Sequence, residues 1–150
     1  MLSLEQGGWD VLGVAAAGVR RAVFVQEMGL SPVLQEDADD RQAVHVVARN
    51  QLGMALATGR LSREPDGRGR LARIAVLRSM RYTGLGRQVV RTLLRIAAER
   101  GDRELVLSAQ SAAAGLYAAL GFENASLPYM DSGLEHIEMK LDMAQARASL

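Results

Sequence analysis

Apolar residues recur every three or four positions along two long segments of the chain, which is the spacing of one face of an α-helix. Residues 84–100 carry the clearer pattern, with arginines four apart on the opposite face. Residues 11–28 carry a weaker one that ends at Gly29. A third helix is predicted over residues 111–120, between a Ser111 cap and Gly121. The apolar positions of the two long stripes are Val14, Val19, Val23, Phe24 and Met28 in the first, and Val89, Val90, Leu93, Leu94, Ile96 and Ala97 in the second.

Runs rich in β-branched and aliphatic residues lie between these helices and predict strands. Pro65, Asp66 and two glycines predict a loop over residues 64–69, and the alanine-rich tail, residues 142–150, is predicted as a helix. The order of helix, three strands, helix, strand, helix and strand predicts an α/β protein with a mixed central sheet flanked by helices. The main predicted strands cover residues 43–49, 52–61, 70–77, 104–109 and 135–141.

Length and composition narrow the class of protein. The chain has 150 residues, of which 49% are hydrophobic and 23% charged, so disordered, collagen-like and coiled-coil classes are excluded. We predict a single domain over residues 1–150. The lack of cysteine excludes a thiolate metal site, and two histidines leave little for an imidazole site, so no metal is predicted. Apolar runs shorter than a membrane span, without a signal-peptide pattern, predict a cytoplasmic protein with no membrane partner.

Charge is unevenly distributed along the chain, although the formal net charge is only +1. Residues 60–103 hold twelve arginines and four acids, whereas the remainder holds six basic and thirteen acidic residues. A segregated positive region attracts anions, but a solvated helix face beside a polar loop would give the same pattern. Nucleic acid is disfavoured as the anion, because only 4% of residues are aromatic and no known binding motif is present.

The strongest local motif is Arg81-Tyr82-Thr83-Gly84-Leu85-Gly86, which follows a predicted strand and opens the second long helix. Glycines allow a tight turn that exposes backbone N–H groups, and the helix N-terminus adds a positive partial charge. Such a segment can hold a phosphate, and flanking arginines would add charge-assisted hydrogen bonds. The segment matches neither a Walker loop nor a Rossmann fingerprint. Taken alone, it is equally well explained as a loop with two turn glycines.

Together with a second motif, this segment resembles the GNAT family of N-acetyltransferases. Arg81-x-x-Gly84-x-Gly86 matches that family's acetyl-CoA signature, Arg/Gln-x-x-Gly-x-Gly/Ala, and Tyr117 stands in a match to its Tyr-x-x-x-Gly-Phe. The resemblance covers roughly residues 9–142 in the family's order, and several spaced motifs are more specific than one. It implies the GNAT (acyl-CoA N-acyltransferase) fold.

Further segments are similar to the ElaA-like branch of that family. The branch usually has Gln after the glutamate of the first helix, whereas Met28 follows Glu27 here, a departure that we expect to affect the choice of acceptor. The matching segments are Arg21-Ala22-Val23-Phe24-Val25-Gln26-Glu27, the acidic stretch with Asp37 and Asp40 followed by His45, Leu107-Ser108-Ala109-Gln110, and Tyr129-x-Asp131-x-Gly133-Leu134-x-His136-x-x-Met139.

The resemblance implies roles for individual residues. Tyr117 is the implied general acid for the departing CoA thiolate, and Glu27, His136 and His45, in that order, are the candidate bases for the acceptor amine. The structural alternatives are a helix-surface acid for Glu27, a half-buried histidine for His45, a hydrogen bond that ties its loop for His136, and an aromatic core residue for Tyr117. Acetyl-CoA is the implied co-substrate, held by Ile74, Ala75 and Val76 of the fourth strand and by the loop Arg81, Tyr82, Thr83, Gly84, Leu85, Gly86 and Arg87.

The implied function is transfer of acetyl from acetyl-CoA to a primary amine of a small molecule or peptide by direct attack in a ternary complex. A noncatalytic acyl-CoA-binding or sensing domain is the alternative, because it would keep the phosphate loop and lose the acid and base. The acceptor, the identity of the base and the oligomeric state stay open at this stage, with a homodimer as one option.

Overall fold

A computed structural model describes residues 2–146. Of the predicted C-terminal helix, Met143–Ala146 forms a helical turn, and residues 147–150 lie outside the described residues. The helices are α1 (Trp9–Arg20), α2 (Leu85–Glu99), α3 (Ala114–Ala119) and α4 (Met143–Ala146), and the strands are β1 (Ser3–Gly7), β2 (Val44–Arg49), β3 (Ala55–Arg63), β4 (Gly69–Val76), β5 (Glu104–Gln110), β6 (Glu123–Asn124), β7 (Tyr129–Asp131) and β8 (Leu134–Asp142).

The strands form one mixed sheet in the order β1-β2-β3-β4-β5-β8-β6, with β7 also paired to β8. Within residues 2–146, only β4 and β5 run parallel to each other, and every other pair is antiparallel. The predicted α/β class with a mixed central sheet is therefore confirmed. No helix among residues 2–146 is long and apolar enough to cross a membrane.

Helices cover both faces of the sheet, as successive residues of β2 show. Val46 and Ala48 pack in a large apolar cluster with Val89 of α2, whereas Val47 packs with Leu12 of α1. Because successive side chains of a strand point to opposite faces, α1 and α2 lie on opposite sides of the sheet. The arginines predicted on the outer face of α2 are exposed, which completes its amphipathic pattern.

The first predicted helix differs from the structure in three ways. An α-helix begins at Trp9, and the chain continues from Arg21 to Glu27 as a π-helix. Val14 was assigned to the buried stripe, but its side chain is 92% exposed. That assignment was wrong because α1 turns Leu12, Ala16 and Val19 towards the sheet, and of these only Val19 belongs to the predicted stripe. Strand β1 was not predicted, since its sequence SLEQG contains no β-branched residue.

Candidate active site

Strands β4 and β5 pair only near their beginnings. Residues 69–71 pair with residues 105–107, although β4 continues to Val76 and β5 to Gln110. Among the described residues, the second half of β4 therefore has a strand partner on one side only. An unpaired strand edge presents N–H and C=O groups that an extended ligand can pair with. The sequence-predicted residues Ile74, Ala75 and Val76 lie on this part of β4.

A β-bulge lies where the two strands separate. The register between β3 and β4 shifts between Thr58 and Arg60, so that Arg73 and Ile74 oppose the single residue Gly59. A bulge bends its strand and increases the local twist, which carries β4 away from β5. Gly59 makes room for this arrangement, because a Cβ at Gly59 would lie 3.1 Å from the Ile74 side chain and 2.9 Å from side chains of α2.

The predicted phosphate loop connects β4 to α2 through tight backbone geometry. Tyr82 has φ of 64° and Gly84, the residue that precedes α2, has φ of 84°. The Thr83 hydroxyl donates a hydrogen bond of 2.6 Å to the carbonyl oxygen of Met80 and so closes the turn. Because Gly84 has no side chain, it provides no capping hydrogen bond to α2. The first N–H groups of the helix therefore receive no side-chain acceptor from the cap position.

Gly86 lies in the first turn of α2, between the open strand edge and α3. A Cβ at Gly86 would lie 3.4 Å from the side chain of Val76 and 3.9 Å from that of Leu116. The glycine thus brings β4, α2 and α3 together at one place. Leu116 immediately precedes Tyr117 in the chain, which puts the predicted general acid on the helix that borders this junction.

Tyr117 is buried on α3, and its ring packs edge-to-face on Phe122 with ring centroids 6.0 Å apart. Burial raises the pKa of Tyr117 to about 12, so the phenol keeps its proton at any physiological pH. No group within residues 2–146 forms a hydrogen bond with its hydroxyl, and that oxygen is not among the buried unpartnered atoms. The hydroxyl is available to donate a hydrogen bond to a ligand.

The candidate base Glu27 is engaged by the phosphate loop. Its carboxylate, at the end of the π-helix, accepts hydrogen bonds from both terminal nitrogens of Arg81. Arg81 also donates a hydrogen bond of 3.2 Å to the carbonyl oxygen of Val76, on β4. The hydrogen-bonded guanidinium holds the pKa of the Glu27 carboxyl below its usual value. A carboxylate in this state is a weak proton acceptor, so its chemistry differs from that of an isolated base.

His136 lies at the same end of the sheet, opposite Gln110 in the β5–β8 ladder. Its Nδ1 is 2.9 Å from the carbonyl oxygen of Leu134. A carbonyl oxygen only accepts, so Nδ1 carries the hydrogen, and in the neutral ring Nε2 holds the free lone pair. The Gln110 side-chain amide contacts the Met28 sulfur at 3.9 Å, which links the His136 side of the site to the residue next to Glu27.

His45, the third candidate base, is fully buried with 0% exposure. Its Nε2 donates a hydrogen bond of 2.8 Å to the carbonyl oxygen of Asp40, and its ring packs against Trp9. Burial lowers the pKa of His45, which keeps the ring neutral. Since no part of the ring is accessible, the structure contradicts a role for His45 in deprotonating an acceptor, and the residue supports the loop that contains Asp40.

Three residues that the sequence analysis did not assign lie at the site. Gln110 and Ser108 stand in a segment that matched the ElaA-like branch, yet neither was given a role. The Ser108 hydroxyl forms a short hydrogen bond with the hydroxyl of Tyr129, whose ring stacks beside His136. Arg73, the third, has a positive φ in mid-strand. A positive φ at an arginine cannot be recognised from a single sequence. Ser108 and Gln110 could have been assigned to the site, because they stand in a segment that matches the ElaA-like branch.

Comparisons with known proteins identify the same family. The family model described as "Acetyltransferase (GNAT) domain" matches residues 13–143. A Bacillus subtilis protein named a "putative acetyltransferase" is 37% identical over 125 residues, which cover 81% of this chain and 83% of that protein. A Pseudomonas aeruginosa acyl-CoA N-acyltransferase has a TM-score of 0.81 and 26% identity, covering 94% of this chain and 99% of that one. Escherichia coli ElaA shares the fold, with a TM-score of 0.85, 22% identity, and coverage of 95% and 100%.

Proposed function

Because the chain belongs to the acetyltransferase (GNAT) family, we propose that it transfers the acetyl group of acetyl-CoA directly to a primary amine within a ternary complex. The observation that carries this proposal is the open edge of β4, which ends at the glycine-containing loop before α2. The edge suits the extended, amide-containing arm of CoA, and the loop suits its phosphates. One continuous surface thus matches both chemical parts of the co-substrate.

Acetyl transfer on this surface needs no covalent enzyme intermediate. The amine nitrogen forms a bond to the thioester carbonyl carbon, the carbon–sulfur bond breaks, and CoA leaves with the bonding electrons on sulfur. A backbone N–H of residues 74–76 would donate to the carbonyl oxygen as negative charge develops there. The proton lost from the amine goes to a base, and the co-product is CoA.

Tyr117 would act on the departing sulfur as a hydrogen-bond donor. With its pKa raised to about 12, full proton transfer to a thiolate of pKa about 8.5 is unfavourable. A hydrogen bond from the retained O–H still stabilises the thiolate as it forms. This role requires the hydroxyl to be protonated and unengaged by protein groups, and both conditions hold for Tyr117 among the described residues.

His136 is the preferred base for the acceptor amine, and Glu27 is second. The Leu134 carbonyl selects the tautomer of His136 in which Nε2 can accept a proton. Glu27 is held by Arg81, which lowers its pKa and so its basicity. The sequence analysis placed Glu27 first. It could not detect the Arg81–Glu27 contact that weakens this base, because the two residues are 54 positions apart in the chain.

Acetyl transfer is tested by incubating the protein with acetyl-CoA and a panel of amines that includes lysine peptides, polyamines, aminoglycosides and small metabolites. Free CoA thiol and the mass of the acetylated product are measured together. Amine-dependent formation of both, lost in Gly84→Glu, supports the proposal. Tight binding of acetyl-CoA with no acetylated product from any amine favours a noncatalytic acyl-CoA-binding domain instead.

A further inference from the structure

Arg73 is the bulge residue of β4, and its backbone has φ of 55°. A residue with a Cβ adopts this left-handed conformation at a cost, and in mid-strand it persists only when the surroundings impose it. The position is at the separation of β4 from β5, directly before Ile74, Ala75 and Val76. Whatever holds Arg73 in this conformation also determines the direction of the open edge.

The side chain of Arg73 is hydrogen-bonded to the acidic loop, residues 35–40, which lies after the π-helix. Its Nε donates a hydrogen bond of 3.2 Å to the carbonyl oxygen of Gln35, and its Nη2 donates one of 3.1 Å to the carboxylate of Asp37. A planar guanidinium with two such partners has a fixed orientation. The loop thus restrains the bulge residue through its side chain.

The acidic loop is itself immobilised by a buried ion network. The Asp40 carboxylate accepts two hydrogen bonds of 3.0 Å from Arg20 of α1 and one of 3.0 Å from Arg60 of β3. Arg60 also donates a hydrogen bond of 2.7 Å to Asp37. Arg20, Asp40 and Arg60 are each at most 3% exposed. Buried charges paired in this way have one favourable arrangement, because any break leaves a charge without its partner.

Arg60 places one end of this network beside the bulge. It follows Gly59, the β3 residue that faces Arg73 and Ile74, so the network touches β3 next to the bulge and touches the bulge residue itself. On the α1 face, Ala75 packs against Val23. Contacts with β3, with the acidic loop and with the helix side of the sheet therefore all restrain the bulge.

We propose that Arg73 is a positioning residue: clamped by Gln35 and Asp37, it maintains the bulge that turns the edge of β4 towards the co-substrate. The inference rests on the proposed function, since it assigns acetyl-CoA to that edge. It predicts that Arg73 acts through backbone conformation rather than through contact with the ligand. Loss of the clamp lets β4 relax towards ordinary strand geometry beside β5, which closes the edge.

A pair of substitutions separates backbone geometry from side-chain chemistry. Arg73→Ala removes the clamp but keeps the Cβ that opposes positive φ, whereas Arg73→Gly removes the same side chain from a residue that adopts positive φ readily. We expect Arg73→Ala to raise the Kd for acetyl-CoA about tenfold or more by calorimetry, and Arg73→Gly to recover most of that loss. Equal weakening in both variants, or the wild-type Kd in both, would overturn the proposal.

A second experiment tests the clamp from the loop and keeps the proposal testable if Arg73→Ala does not fold. Asp37→Asn weakens the partner of Arg73 and should also raise the Kd, although removing a negative charge would by itself favour a polyanion. Asp39→Asn is the matched control, because its carboxylate is exposed and outside the network. The same Kd in Asp37→Asn and Asp39→Asn would contradict the clamp.

A readout without ligand separates this inference from the proposed function. Backbone ¹³C chemical shifts of residue 72 and residues 74–76, which are unchanged in sequence, report the bulge in the free protein, so they are expected to move in Arg73→Ala and to stay near wild type in Arg73→Gly. Unmoved shifts in Arg73→Ala would overturn the inference even if acetyl-CoA binds. Failure of the wild-type protein to bind acetyl-CoA would instead overturn the proposed function.

Discussion

The Glu27 carboxylate and the Arg81 guanidinium form an ion pair between the end of the π-helix and the loop that precedes α2. The sequence predicts separate roles for the two residues: Glu27 as a base for the amine, and Arg81 as a contact to the phosphates of acetyl-CoA. Their contact means that neither charge acts independently of the other. It also connects the acceptor side of the proposed site to the co-substrate side.

This pairing predicts which residue governs the pH dependence of the reaction. His136→Asn should lower kcat/KM for the amine by about 10²-fold and abolish the acidic limb of its pH profile, because the substitution removes the group that accepts the amine proton. Glu27→Gln should leave that limb in place, since its pKa is held low by Arg81. Loss of the limb in Glu27→Gln, with the limb retained in His136→Asn, would assign the base to Glu27.

Removal of the Tyr117 hydroxyl tests the proposed stabilisation of the leaving thiolate. Tyr117→Phe should lower kcat by about 10²-fold and leave the Kd for acetyl-CoA close to wild type, because the ring and its packing on Phe122 remain. Thr92→Val is a control that removes a hydroxyl which donates its hydrogen bond to the Gln88 carbonyl, within α2 itself. Wild-type turnover in Tyr117→Phe would assign the tyrosine to core packing.

The loop before α2 is tested with glycine variants. Gly84→Glu should nearly abolish acetyl-CoA binding by calorimetry, since it strains a residue with φ of 84° and puts a negative charge near the phosphates. Gly67→Glu is a matched control, because Gly67 has φ of 91° in the turn at the other end of β4. Circular dichroism checks the fold of both. Equal affinities in the two folded variants would remove this loop from the site.

The buried network predicts how stability depends on pH. Burial raises the pKa of Asp40, but hydrogen bonds from Arg20 and Arg60 outweigh it and hold the value at about 2. This lies below an unfolded value near 3.8, so the ionised carboxylate stabilises the folded state by roughly 2 kcal/mol above pH 4. That contribution is lost as the pH falls from about 4 to about 2.

Urea unfolding of the wild type and of Asp40→Asn checks this expectation. The variant should lose about 3–5 kcal/mol of unfolding free energy near neutral pH, because two buried guanidinium groups lose their shared charge. The difference between the two proteins should shrink as the pH falls towards 2. Asp39→Asn, which changes an exposed carboxylate, should follow the wild-type curve. A difference that stays constant with pH would show that Asp40 is not ionised in the folded protein.

Sequence alone predicted the parts of the fold that depend on local pattern. The stripe of α2, with Val89 and Leu93 inward and the arginines outward, is strong because its period is regular. The glycines of the loop and Tyr117 were found through motif spacing. Strand β1 was not predicted, because its five residues do not have the composition or alternation typical of a strand. It forms because it pairs with β2 in the folded protein.

The features that the sequence could not predict are contacts between distant residues. The bulge at Arg73, the burial of His45 and the Arg81–Glu27 pair each depend on which elements meet after folding. The burial of His45 changed a candidate base into a supporting residue, and the Arg81–Glu27 pair reversed the order of the other two. The local pattern of apolar and polar residues does not show which distant residues meet.

Amide hydrogen–deuterium exchange with and without acetyl-CoA tests the proposed binding surface, because it covers the open edge of β4 and the loop before α2 in one experiment. We expect slower exchange on binding in peptides that cover residues 72–76 and 81–87. No change is expected in residues 45–49, which are already paired on both sides by β1 and β3. Protection that is absent from both segments, or that lies only elsewhere in the chain, would contradict binding of acetyl-CoA at this surface.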